Sequence, residues 1–63
     1  MNEKIIVLKV IKEMMKFQNS LLLDDSKLQV TCIILNIADK WDLLDDYEIL
    51  TYEQETKIVK EKE

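Results

Sequence analysis

The chain has 63 residues, no glycine, proline or histidine, one cysteine, and nine basic residues, all lysine, against thirteen acids for a formal charge of -4. That inventory excludes an internal disulfide, a Cys/His zinc site, a glycine-rich phosphate cradle and the arginine forks that make the commonest specific contacts to guanine. A domain of about 60 residues buries only about 60% of the surface its unfolded chain exposes, so stability must come from helix packing or self-association.

With no glycine or proline to make two-residue hairpin turns, the pattern points to helix throughout. Over residues 3 to 17, Lys9, Lys12, Glu13 and Lys16 recur at helical spacing, while Val7, Leu8, Val10, Ile11, Met14, Met15 and Phe17 fill the other arc. The same phase runs through Gln18 to Leu22, with Asn19 and Ser20 outside. Asp24, Asp25 and Ser26 are N-cap candidates for a second helix. From Lys27 to Trp41 its polar residues gather on one narrow side, leaving an apolar arc too wide for one partner helix to cover. A buried strand over Val30 to Leu35 is the competing reading, but no turn signals bracket it. Thr51 with Gln54 matches a capping box and Glu53 precedes Lys57 by four, which predicts a short third helix from Tyr52. Residues 57 to 63, thin in apolar content, are expected to fray. The predicted fold is one all-α domain over residues 1 to 63: a helical hairpin plus a short C-terminal helix or tail, dimeric through Ile33, Ile34, Ile37, Met14 and Met15.

Charge is uneven. Residues 1 to 40 carry six lysines and five acids, whereas residues 41 to 63 carry three and eight. No nucleophile sits with a base, and Asp45 and Asp46 are adjacent, so on a helix their side chains diverge. No enzyme, cofactor or metal site is predicted; Cys32, in an apolar run, reads as a small buried hydrophobe. The stretch Met1 to Lys4 lacks a signal-peptide layout, and the runs Ile5 to Leu8 and Cys32 to Leu35 are far shorter than the roughly 20 residues that span a bilayer. The chain is therefore expected in the cytoplasm, without a membrane partner. The composition suits a low-GC bacterium, phage or plasmid.

Recognition remains, and the expected role is a small regulatory protein that binds another protein. Trp41, Leu44 and Tyr47 would share a helical face among Asp45 and Asp46, with Tyr52 following: aromatic anchors in an acidic surround suit an apolar groove rimmed by basic residues. An alternative is a dimeric nucleic-acid-associated regulator using the stripe Lys9, Lys12 and Lys16, disfavoured by the acidic total. A third is a structural homo-oligomeric subunit.

Overall fold

The computed structural model describes residues 2–61. Helix α1 (Glu3–Asn19) and helix α2 (Asp24–Lys40) form a hairpin; one helical turn, α3 (Leu43–Asp46), then leads into strands β1 (Tyr47–Tyr52) and β2 (Glu55–Glu61), which pair antiparallel. The protein is mostly helical with two long helices, but it is not all-α: the helical hairpin forms one layer and the β-hairpin packs on it as a second.

The helices follow from local chemistry. Asn2 caps α1, its side-chain oxygen accepting from the Lys4 amide at 2.9 Å, and Glu3 lies in the first turn where a carboxylate meets the positive end of the dipole. Helix α1 stops at Asn19, three residues short of the apolar phase, because the Ser20 hydroxyl donates to the Phe17 carbonyl at 2.6 Å and closes the last turn. Helix α2 begins where its acids predict, but Leu23 is the cap residue and makes no side-chain bond; Asp24 and Asp25 occupy the first turn. The strand alternative over Val30 to Leu35 falls inside α2.

The C-terminal third departs from the helical expectation. Glu53 and Gln54 take left-handed backbone at φ 50° and 61° and form the two-residue turn of the β-hairpin, in place of a third helix. Thr51, Thr56, Ile58 and Val59 favour extended chain, and Ile49 pairs with Ile58 on the inward side. Lys57 to Glu61, expected to fray, belong to β2; Lys62 and Glu63 lie outside the described residues. A third left-handed residue, Asp42 at φ 57°, ends α2 in the role glycine usually fills.

The buried apolar core among the described residues is small: Ile11 from α1, Val30, Ile34 and Ala38 from α2, and Leu43 from α3. Val7, Met14, Met15, Leu21, Ile37, Trp41, Leu44, Tyr47 and Ile49 pack around it, partly buried. No described helix is long and apolar enough to cross a membrane.

Candidate functional site

The best-defined polar constellation is structural. Gln18, fully buried, sits in the core phase of α1 seven residues after Ile11. Its amide nitrogen, with two hydrogens to share, lies within hydrogen-bond distance of three acceptors: the Lys27 carbonyl at 2.6 Å, Thr31 Oγ1 at 2.7 Å and the Gln54 carbonyl at 2.9 Å. Its oxygen accepts from the Thr56 amide at 2.9 Å and the Thr56 hydroxyl at 3.2 Å. Thr31 Oγ1 also donates to the Gln54 carbonyl at 2.8 Å. One side chain thus ties the end of α1, the start of α2 and the β-turn together, and no buried side-chain polar atom among the described residues lacks a partner. Beside it, Lys27 and Glu55 pair at 2.8 Å with side chains only 19% and 24% exposed. The hydrogen bond to Lys27 holds the Glu55 carboxyl below its ordinary range, and the same bond raises the Lys27 ammonium above its own.

This clasp fixes what stands at that end of the molecule. Leu22, in the loop between the helices, is 95% exposed and Leu23 69%, while Tyr52, beside the β-turn that the clasp pulls to the same end, is 66% exposed. These are the three most exposed large hydrophobic side chains among the described residues. Sequence periodicity missed the two leucines because it carries the first helix on to Leu22, whereas Tyr52 is among the predicted contact residues.

The predicted protein-binding residues are dispersed. Trp41 is the C-cap of α2, Leu44 lies in α3 and Tyr47 opens β1, so they share no helical face; all three are half-buried against the core. Asp45 is exposed, and Asp46 pairs with Lys4 at 3.1 Å, which raises the Lys4 ammonium above its ordinary range. Of that stretch, Tyr52 is the aromatic largely free to meet a partner. The lysines of the alternative reading, Lys9, Lys12 and Lys16, are all exposed on α1, and Lys16 pairs with Glu13 at 3.1 Å.

Among the predicted dimer residues, Ile34 is fully buried within its own chain and has no surface to offer. Met14, Met15 and Ile37 are partly buried, and Ile33 is exposed. Cys32, expected in the core, is exposed on α2, because the buried phase of that helix runs through Val30, Ile34 and Ala38. Among the described residues no group of three or more His, Cys, Asp or Glu side chains is placed to hold a metal ion.

No protein-family model matches the chain, and neither a curated protein nor a solved structure is significantly similar to it.

Proposed function

We propose that this chain is a small, non-enzymatic regulatory protein that works, as a homodimer, by binding and modulating another protein. The observation that carries the reading is the placement at the clasped end of Leu22, Leu23 and Tyr52, the three most exposed large hydrophobics among the described residues. Exposed apolar groups scattered singly are ordinary; gathered on a rigid support they mark recognition surfaces. The clasp supplies that support, since it holds both turns with no buried side-chain polar atom left unpartnered among the described residues, so little ordering remains to oppose binding. Asp24 and Asp25, which follow Leu22 and Leu23 at the start of α2, and Glu53 of the β-turn are exposed at this same end and favour a partner with a basic rim.

Affinity capture of the tagged chain from source-cell lysate, with and without nuclease, tests this when run beside Leu22→Lys and Tyr52→Ala. The proposal expects a protein retained by the parent after nuclease and lost from both variants, whose replaced side chains are largely exposed. Equal retention by parent and variants would remove the surface. A nucleic-acid-associated role is the second reading, supported by the shared exposure of Lys9, Lys12 and Lys16. It predicts that everything captured disappears with nuclease and that binding weakens steeply with salt.

A further inference from the structure

The helical layer has two sides, and the β-hairpin covers one of them. Gln18, Lys27 and Thr31 face the hairpin through their hydrogen bonds to it. A short loop joins α1 to α2, so they run antiparallel, and turning about a quarter-turn away from the core in the same sense on each helix leads to the same opposite side. There α1 presents Ile6, Val10, Met14 and Phe17, at successive spacings of four, four and three, and α2 presents Ile33 and Ile37. Ile6, Val10, Phe17 and Ile33 are each about half exposed, and an open groove of about 420 Å³ runs along α1 between Lys9, Val10, Glu13, Met14 and Phe17.

We infer that a second copy of this chain covers this side, its α1 lying antiparallel across the first about a two-fold axis level with Ile11 and Lys12. The inference specifies the dimeric part of the proposed function and is independent of the clasped end. Three features select the occupant. In this register Ile6 lies opposite Phe17 of the second copy and Val10 opposite its Met14, so the apolar stripe meets itself. Lys9 and Glu13 stand on the same flank of the stripe, and antiparallel helices set like flanks together, so each Lys9 faces the other copy's Glu13. The surface is therefore its own complement in charge, as an isologous interface must be. Finally, the need is intrinsic: among the described residues only five apolar side chains are buried. A standard interface takes about 800 Å² from each partner, about a sixth of the 4785 Å² this chain exposes, and would enlarge that core.

The test is the oligomeric state of the full chain, by light scattering and sedimentation over a wide concentration range, for parent, Val10→Asp, Lys9→Glu, Glu13→Lys and the doubly reversed chain. The parent should be dimeric and Val10→Asp monomeric, with helical circular dichroism retained. Each single charge reversal sets like charges together twice and should weaken the dimer by about tenfold. The double reversal should restore it, and mixing the two single variants should yield a heterodimer in which both contacts are again attractive. Lys9 and Glu13 are exposed, so these variants keep the arrangement testable even if Val10→Asp unfolds. A parent that stays monomeric, or a dimer indifferent to Val10→Asp, would overturn the interface. Weakened single variants that fail to restore each other would overturn the antiparallel register. Leu22→Lys, which removes the proposed partner contact, should leave the dimer unchanged, so failure of either idea is read separately.

Discussion

The two sides of the helical layer are held by different physics. Toward the β-hairpin, contact is directional: Gln18, Thr31 and Thr56 exchange hydrogen bonds that fit only one placement of the turn. Away from it, the same helices offer Ile6, Val10, Phe17 and Ile33, which specify little beyond being covered. The comparison separates two problems a short chain must solve. Polar groups in the core fix which strand residue lies where, because any slip leaves a buried donor or acceptor unmade. Apolar surface supplies the larger share of stability but tolerates many partners.

The largest test breaks the directional side. Gln18→Leu keeps the bulk of the side chain in a fully buried position and deletes every bond it makes, leaving the Thr56 amide without its acceptor. A buried group so orphaned costs about 1–3 kcal/mol, and the Lys27 and Gln54 carbonyls lose a donor as well, so a total of about 3 kcal/mol is expected. Urea denaturation gives the magnitude. Hydrogen exchange gives the location: protection in β1 and β2 should fall more than in the middle of α1 and α2. Equal loss everywhere would mean that the hairpin is held by its apolar contacts and the clasp is incidental.

That asymmetry also explains how much of the molecule could be read from sequence. Both long helices were legible because their cores are apolar at a period near 3.6, and α2 starts at the predicted acids. The hairpin was hidden by two misleading signals, since Thr51 with Gln54 and Glu53 with Lys57 are as good a helix start as the chain contains. The contrary signal was present: Tyr47, Ile49 and Thr51 alternate with polar or exposed neighbours, as do Thr56 and Ile58. Absence of glycine argued against a tight turn, yet Glu53 and Gln54 adopt it because the Gln54 carbonyl and Thr56 amide bond Gln18, a tertiary gain that local propensity cannot register. Gln18 itself was visible as a polar residue in an apolar phase. Of the candidate contact residues, Tyr52 was legible as an aromatic in an acidic segment, whereas Leu22 and Leu23 were not, because their exposure depends on Ser20 closing α1 early.

A second test sharpens the comparison by removing the backbone cost on the directional side. Left-handed backbone costs a non-glycine residue about 1–2 kcal/mol, and Asn-Gly is the pair best suited to a turn with positive φ at both centres. Replacing Glu53→Asn and Gln54→Gly leaves the backbone groups that meet Gln18 in place. The greater freedom of glycine in the unfolded chain offsets part of the gain, so stability should rise by about 1 kcal/mol, or about 4–8 °C in melting temperature. An unchanged melting temperature would show that the clasp does not hold the turn against its own preference.

The smallest expected effect concerns the ion pair beside the clasp. Glu55 has its pKa lowered by Lys27, so its contribution is fully present above the ordinary value of 4.5 and fades as pH falls through the depressed folded value. Lys27 has its pKa raised by Glu55, so its contribution is full below 10.5 and fades as pH rises through the raised value. Between these limits the pair adds a constant amount, and pH should leave it untouched. Lys27→Met removes both effects at once, Glu55 losing the partner that depresses it. Melting curves of the variant should therefore fall less steeply than the parent's on acidification below pH 4.5, and again on passing above pH 10.5. Lys4 and Asp46 form the control, since their side chains are about twice as exposed and lie away from the β-turn. Lys4→Met should flatten the alkaline limb, where the raised Lys4 acts, and leave the acid limb set by Glu55 intact. If Lys27→Met instead reproduced the parent's acid limb, Glu55 would contribute nothing beyond its solvation, and the directional side would rest on the Gln18 bonds alone.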